Sequence, residues 1–231
     1  MPSLAENIAS VKDRVQQAAK DANSAAKLPR IIAVSKARSA EEVRIAANHG
    51  ISDFGENYLR EALEKVENTA DLSIQWHFIG AIQSNKTATI AQNFSWVQSV
   101  DRMKIAQRLN EQRPDHLPLL NICIQINLDQ EETKSGISPE NASRFAQELI
   151  ELPKLRLRGI MCIPRPRDDY DQQLSAAQKA VALFNDLRQL SSDIDTLSLG
   201  MSADLEAAVH AGSTMVRIGT DIFGPRPSSN P

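Results

Sequence analysis

The sequence predicts a (β/α)8 barrel preceded by an extra N-terminal helix. Short β-rich segments alternate with amphipathic helical segments and form eight strand–helix units. A helical pattern separates every two consecutive strands along the sequence. An open, doubly wound sheet shows the same alternation, but such sheets usually have about five to seven strands. Eight strands therefore favour the closed barrel, although the chain is compact for this fold.

The composition is that of an ordinary globular protein. The 231 residues are 42% hydrophobic and 24% charged, with a formal net charge of −3. This balance does not favour electrostatic binding of nucleic acid, and no apolar stretch approaches the roughly 20 residues of a membrane span. Since the N-terminus does not resemble a signal peptide, we expect a cytoplasmic protein. We also expect Cys123 and Cys162, in apolar strand-like segments, to be buried, reduced thiols.

The first element, assigned to residues 1–28, is a helix. Apolar residues recur every three or four positions, on one helical face: Leu4, Ile8, Val11, Val15 and Ala18. Ser3 and Glu6 predict a capping box at its start. The helix is expected to end by Leu28–Pro29, because the residue before a proline disfavours helical backbone angles.

The strand–helix units follow in order. The predicted strands are Arg30–Lys36, Ile51–Gly55, Ser73–Ile79, Phe94–Val100, Leu119–Asn127, Leu155–Cys162, Thr196–Met201 and Thr214–Gly219. The predicted helices include Ala40–His49, Asn57–Asn68, Arg102–Gln112, Pro139–Leu152, Leu174–Leu190 and Ala203–Ala211. We expect a single domain over residues 1–231, in which residues 225–231 form a frayed tail.

A lysine ends the first predicted strand, where barrels of this kind build their sites. Side chains alternate along a strand, so Lys36 shares a face with Val34 and Ile32. If this face is the barrel interior, desolvation lowers the lysine pKa and frees an amine for Schiff-base chemistry. The alternative is a lysine that extends from the strand end into water.

The second and third units each offer one polar candidate near the end of a strand. Asn57 is either a ligand contact or the N-cap of the following helix. His77 is either a ligand contact or a core histidine with satisfied hydrogen bonds. The local sequence leaves both pairs of alternatives open.

The last two units have the features of a phosphate site. Ser202 precedes a helical segment as a candidate N-cap, Gly219 permits close backbone approach, and Thr220 adds a hydroxyl group. Barrels of this fold frequently bind phosphate after strands seven and eight. Asp204 and Glu206 already complement the helix start, however, and would slightly repel an anion.

An arginine lies between the candidate lysine and the candidate phosphate site. Arg217 lies on the same face of its strand as Met215 and Gly219, and this face points inward if Gly219 faces the ligand. A buried arginine stays charged and needs an acceptor. A lysine, a phosphate site and a partner for a ring nitrogen are together what pyridoxal phosphate requires.

Five ordered motifs resemble those of the pyridoxal phosphate homeostasis protein family, which is related in fold to the N-terminal barrel of alanine racemase. The motifs are Ala33-Val34-Ser35-Lys36, Phe54-Gly55-Glu56-Asn57-Tyr58, Trp76-His77-Phe78-Ile79-Gly80 with Gln83, Asn85 and Lys86, Leu199-Gly200-Met201-Ser202, and Val216-Arg217-Ile218-Gly219-Thr220 with Ile222-Phe223-Gly224. The resemblance spans the chain from about Arg30 to Gly224.

The resemblance implies a role for each candidate. Lys36 would carry pyridoxal phosphate as an aldimine, His77 would lie near its ring, and Arg217 would face the pyridine nitrogen. The phosphate would be held by Met201, Ser202, Gly219 and Thr220. Asn57 completes the expected cofactor-binding set.

Two functions are compatible with such a site: a reversible carrier of pyridoxal phosphate and a racemase that uses it. Racemization needs a base on each face of the substrate, and the related racemases take the second, a tyrosine, from a C-terminal domain. Eleven residues follow Thr220, so we expect no such domain, and the tyrosines are Tyr58 and Tyr170. An arginine opposite the pyridine nitrogen also weakens the ring as an electron sink. We therefore favour a carrier without turnover.

The remaining expectations concern other sites and partners. A phosphosugar enzyme lacks support because the strand ends carry no paired carboxylates and Lys36 would have no role. The four histidines are isolated, so no metal site is predicted. The resemblance suggests a monomer that passes its cofactor to apoenzymes that depend on pyridoxal phosphate.

Overall fold

The computed structural model describes residues 2–22, 28–131 and 134–225. Eight strands close into a barrel in the order β1 to β8, and all neighbouring pairs are parallel, including β1 with β8. The strands are β1 Arg30–Val34, β2 Asp53–Glu56, β3 Gln75–Phe78, β4 Trp96–Val100, β5 Leu120–Ile126, β6 Leu155–Cys162, β7 Thr196–Ser198 and β8 Met215–Ile218. The predicted closed barrel is confirmed.

Helices connect the strands and cover the outside of the barrel. They are α1 Leu4–Asp21, α2 Ala40–Asn48, α3 Leu59–Asn68, α4 Thr87–Asn93, α5 Met103–Gln112, α6 Pro139–Ile150, α7 Tyr170–Leu187, α8 Leu205–Ala211 and α9 Thr220–Phe223, with a short 3₁₀ helix at Ser84–Lys86. Among these described residues, no helix has an apolar stretch long enough to cross a bilayer.

The extra helix α1 is stabilised at its start and along one face. The predicted capping box is present: the Ser3 hydroxyl accepts the Glu6 N–H, and the Glu6 carboxylate accepts the Ser3 N–H at 2.6 Å. The apolar face packs onto α8 and α9. The helix ends at Asp21, earlier than predicted, while positions 23–27 and the predicted tail from 226 onwards lie outside the described residues.

The barrel interior contains an apolar cluster of Ile32, Trp96, Cys123, Met161 and Met215. Both cysteines are free and buried, as predicted, and burial raises the pKa of each thiol to about 12. Ile32 on β1 and Met215 on β8 belong to this interior cluster, so the alternation of side chains directs every second residue of these two strands into the barrel.

The strands β1 and β7 end at least two residues earlier than the sequence predicts. β1 ends at Val34 because the chain turns after it, and the Arg38 N–H donates to the Ser35 carbonyl at 3.0 Å. β7 ends at Ser198 because Gly200, at φ +103°, takes the chain out of the extended conformation. These turns bring the residues after the strands to the carboxyl end of the barrel.

Candidate functional site

A cavity of about 330 Å³ opens at the carboxyl ends of the strands. Its walls come from the ends of β1, β2, β3, β6, β7 and β8 and the loops that follow them. The structure brings seven of the eight predicted site residues together in its lining: Lys36, Asn57, Met201, Ser202, Arg217, Gly219 and Thr220. His77 is not among the lining residues.

Lys36 lies in the tight turn that follows β1. It is half-buried, and it lines the cavity together with Val34, as the alternation along β1 predicts. The next residue, Ala37, has a φ of +60°, which a residue with a side chain seldom adopts. The turn therefore needs support from its surroundings.

That support comes from a buried cation behind the turn. Lys65 Nζ donates to the Ser35 carbonyl at 2.6 Å, to Glu56 Oε1 at 2.7 Å and to Glu61 Oε1 at 2.5 Å. Glu61 in turn accepts the Ala37 N–H at 2.5 Å. Burial raises the pKa of Glu56, although the hydrogen bonds from Lys65 and Ser35 oppose the change. The sequence analysis missed this cluster, for which the spacing of Glu61 and Lys65 on one helix was the available signal.

Asn57 lies at the end of β2 with an unused acceptor. Its side-chain oxygen is buried and has no hydrogen-bond partner among the described residues. The N-cap of α3 is Tyr58, so the alternative that Asn57 caps this helix is wrong. A Cβ atom at Gly80 would overlap the Asn57 carbonyl, so a glycine is required where the loop after β3 crosses this backbone.

Arg217 forms part of the cavity wall and is buried. Its Nη1 donates to the carbonyl and hydroxyl oxygens of Ser198 at 2.8 and 2.7 Å, and its Nη2 donates to the Cys162 carbonyl at 2.9 Å. No carboxylate within the described ranges forms an ion pair with it, and burial lowers the pKa of its guanidinium. Neutral acceptors hold Arg217, so its charge is not cancelled by a salt bridge.

His77 belongs to a chain of hydrogen bonds inside the barrel. Its Nε2 lies 2.8 Å from Asp53 Oδ1, and the Gln98 amide nitrogen lies 2.9 Å from its Nδ1. Gln98 also accepts the Ser198 hydroxyl at 2.7 Å, which connects the chain to Arg217. The structure thus favours the core-histidine alternative for His77 and gives no support to a contact with a ligand in the cavity.

Electrostatics within this chain keep the imidazole neutral and the carboxylate charged. Burial lowers the pKa of His77, and the Asp53 carboxylate only partly opposes this effect. Burial alone would raise the pKa of Asp53, but the hydrogen bond from His77 and the positive charge of Arg30 bring it below its usual value. Every donor in the chain, from Arg217 onwards, is therefore directed toward Asp53.

The loops after β7 and β8 form the opposite wall of the cavity. Ser202 lies in the turn before α8, whose N-cap is Asp204, so the prediction that Ser202 caps this helix is wrong. Thr220 begins α9, and Gly219 precedes it. A Cβ atom at Gly219 would lie 3.4 Å from the Val34 carbonyl, which places Gly219 in close proximity to the end of β1. Met201 is exposed at the cavity edge.

The lining also contains residues that the sequence analysis did not assign to the site, among them Arg38 and Ile163. Arg38 lies in the wall beside the ring of Phe223, and it donates to the carbonyls of Gly224 and Pro225, both at 2.6 Å. Ile163 follows β6, so a systematic inspection of every strand end would have found it.

Comparisons with known proteins show which family this chain resembles. The family model described as alanine racemase, N-terminal domain, matches residues 4–227. The pyridoxal phosphate homeostasis protein of Pseudomonas aeruginosa is 51% identical over 226 residues, which cover 98% of this chain and 97% of the relative. The protein of the same name from Escherichia coli is 45% identical over 229 residues, which cover 98% of each chain.

Solved structures show the same similarity. PipY of Synechococcus elongatus, solved without pyridoxal phosphate, has a TM-score of 0.85 and 30% identity, and covers 96% of this chain and 100% of PipY. PipY with pyridoxal phosphate bound has a TM-score of 0.82 and 29% identity over the same shares. With a family model over residues 4–227 and a relative 51% identical over nearly its full length, the chain belongs to the alanine racemase N-terminal domain family, and within it to the pyridoxal phosphate homeostasis proteins.

Proposed function

We propose that this protein binds pyridoxal 5'-phosphate reversibly and acts in intracellular vitamin B6 homeostasis as a carrier or buffer of this cofactor. The observation that carries the proposal is the cavity, which gathers Lys36, Arg217, Ser202 and Thr220 at the carboxyl end of one barrel. A relative with this fold, PipY, has been solved with pyridoxal phosphate bound.

The residues present fit this cofactor in charge and in hydrogen-bonding capacity. Lys36, Arg38 and Arg217 are the cationic side chains of the lining, which suits a phosphorylated ligand. The buried oxygen of Asn57 has no partner among the described residues and is available to a polar group of a ligand. Gly219 leaves space where a side chain would contact β1.

Each side chain has a separate task in this proposal. Pyridoxal phosphate supplies an aldehyde, which condenses reversibly with a primary amine. Lys36 supplies that amine, and the buried Lys65 behind it fixes the turn from which Lys36 extends. Arg217 presents its cationic edge to the cavity while neutral acceptors hold it in place.

The phosphate is held by the loops after β7 and β8. The hydroxyls of Ser202 and Thr220 donate to it, Gly219 allows close backbone approach, and Met201 borders the site. Hydrogen bonds to a charged acceptor are about twice as strong as neutral ones, so these groups account for most of the retention.

A carrier fits this site better than a racemase does. Tyr58 is exposed and Tyr170 lies at the start of α7, and neither belongs to the cavity lining, so no tyrosine base among the described residues faces Lys36. We accordingly propose a protein without turnover of its own. We also propose that it forms a single domain and is a monomer in the cytoplasm. Its recipients are apoenzymes that depend on pyridoxal phosphate.

The experiment is a titration of the apoprotein with pyridoxal phosphate, followed by borohydride reduction and peptide mass spectrometry. We expect one reduced adduct on Lys36, and its loss in Lys36→Ala with an unchanged apo melting temperature. Lys86→Ala and Lys134→Ala serve as matched controls and should retain the adduct. An adduct that maps to Lys86 or Lys134 in the wild-type protein would refute the assignment.

A further inference from the structure

One side chain of the N-terminal helix reaches the loops beside the cavity. Arg14 of α1 donates from Nε and Nη2 to the two carboxylate oxygens of Glu206, at 2.7 and 3.0 Å. Its Nη1 donates to Asp221 Oδ2 at 2.5 Å, and its Nη2 also donates to the Ser202 carbonyl at 3.1 Å. All three guanidinium nitrogens therefore have acceptors.

The partners of Arg14 lie next to the residues proposed to hold the phosphate. Glu206 is in the first turn of α8, which follows Ser202, and Asp221 directly follows Thr220 in α9. Ser202 and Thr220 line the cavity, whereas the two carboxylates do not belong to its lining. The carboxylates thus form a layer of negative charge behind the proposed phosphate site.

Negative charge in this position opposes the binding of a phosphate, because like charges repel. The hydrogen bond from Arg14 lowers the pKa of Glu206, so this carboxylate is ionised at neutral pH. Asp204, which accepts the Met201 N–H at 2.6 Å, adds a further carboxylate to the same loop. The guanidinium of Arg14 offsets this charge through a bidentate pair and a second ion pair.

We propose that Arg14 is a positioning residue for cofactor retention: by pairing with Glu206 and Asp221 it offsets their negative charge, which allows the loops after β7 and β8 to bind the phosphate of pyridoxal phosphate. The inference rests on the proposed function. It gives α1 a role in ligand affinity, since α1 packs on α8 and α9 and Asn7 anchors it further by donating to the Ile222 carbonyl at 2.9 Å.

A purely structural role for Arg14 makes a different prediction. If Arg14 only attaches α1 to the barrel, its loss weakens the binding of pyridoxal phosphate and the binding of pyridoxal by the same factor. If Arg14 offsets negative charge behind the phosphate site, its loss weakens the binding of the phosphorylated ligand only. Removal of the Glu206 and Asp221 carboxylates then reverses the effect.

The experiment titrates apoprotein with pyridoxal phosphate and with pyridoxal, at low and at high salt. For Arg14→Gln we expect about three- to tenfold weaker binding of pyridoxal phosphate at low salt, a smaller effect at roughly 0.5 M salt, and less than about twofold for pyridoxal. Glu206→Gln should bind pyridoxal phosphate at least as tightly as the wild type. The triple variant Arg14→Gln/Glu206→Gln/Asp221→Asn should recover wild-type affinity.

Arg44→Gln is the matched control. Arg44 on α2 forms a bidentate pair with Asp71, at 2.8 and 2.6 Å, and donates to the Asn68 carbonyl, but it is not part of the cavity lining. Its loss should leave both affinities unchanged. Melting curves of each apo variant confirm that it is folded. If Arg14→Gln does not fold, Glu206→Gln still tests whether the carboxylate charge weakens the binding of pyridoxal phosphate.

Three outcomes would overturn the inference: equal weakening of both ligands in Arg14→Gln, no recovery in the triple variant, or weaker binding of pyridoxal phosphate by Glu206→Gln. These results leave the proposed function intact, because the wild-type protein still binds pyridoxal phosphate. A wild-type protein that does not bind pyridoxal phosphate would instead refute the proposed function and this inference with it.

Discussion

His77 Nε2 lies 2.8 Å from Asp53 Oδ1 in the interior of the closed barrel, where both side chains are buried. The imidazole also stacks on Trp96, with ring centroids 5.2 Å apart. Since Gln98 donates to Nδ1, the proton of the neutral ring resides on Nε2 and is donated to the carboxylate. This pair is one end of the polar chain, and Arg217 is the other end.

The pH dependence of stability follows from this pair. The pKa of His77 in the folded protein lies below its ordinary value of 6.5, so the unfolded chain binds the proton first as the pH falls. The free energy of unfolding should therefore decrease below about pH 6.5, by up to about 1.4 kcal/mol per pH unit for this group. Urea unfolding at a series of pH values between about 5 and 8 measures how steeply the free energy of unfolding changes with pH.

His77→Gln should be less stable at every pH and should lose this contribution to the slope. His116→Gln, which replaces an exposed histidine, is the control and should keep it. An unchanged slope in His77→Gln would show that other groups set the acid sensitivity.

The two cysteines should be inert in the folded protein. Burial raises the pKa of Cys123 and Cys162 to about 12, so almost no thiolate exists at neutral pH, and the thiols are also inaccessible. Iodoacetamide should alkylate neither thiol in the native protein and both in urea, as measured by intact mass. Rapid alkylation without denaturant would contradict the buried position of the thiols.

Lys65→Met should destabilise the protein strongly. The substitution leaves the Glu56 carboxylate buried without its cationic partner, and loss of one member of a buried ion pair typically costs about 3–5 kcal/mol. Denaturant unfolding of the apoprotein measures the effect, with the exposed Lys20→Met as control. The double variant Lys65→Met/Glu56→Leu should recover part of the loss, and a Lys65→Met protein as stable as wild type would exclude this role.

Ser202→Ala and Thr220→Ala should each weaken pyridoxal phosphate binding about tenfold or more. A hydrogen bond to a charged group contributes roughly 1.5–3 kcal/mol, which corresponds to about one to two decades in Kd. Binding of pyridoxal, which lacks the phosphate, should change little. If either variant instead lowers the apo melting temperature and leaves the affinity unchanged, its hydroxyl stabilises the loop and does not hold the phosphate.

The protein loaded with pyridoxal phosphate should not racemize alanine or serine faster than free pyridoxal phosphate does. The reason is that no tyrosine in the described lining of the cavity can act as the second base opposite Lys36. Chiral chromatography of the amino acid after incubation measures the rate. Turnover that disappears in Lys36→Ala would establish the racemase alternative.

The sequence predicts the barrel well because the alternation of strands and helices is a repeated, local signal. It predicts the site less completely. Inward parity identifies Lys36 and Arg217, but it does not give the depth of a side chain in the barrel, which depends on the stagger between neighbouring strands. His77, although it lies near the end of β3, is therefore deep in the interior and does not line the cavity.

Tertiary contacts explain the other differences. The turn after β1 depends on Lys65 from α3, a contact that no local pattern reveals. The start of α8 moves from Ala203 to Leu205 because a turn over residues 202–204 occupies the first positions predicted to be helical. The role of Arg14 also emerges only when α1 is seen packed against α8 and α9.

The acceptors of Arg217 have a consequence for protein engineering. They come from strands, the Cys162 carbonyl at the end of β6 and Ser198 at the end of β7, and Ser198 is itself oriented by Gln98 on β4. A designer who transplants only the surface loops onto another barrel would leave the guanidinium without its acceptors. A functional graft must include Ser198 and Gln98 from inside the barrel.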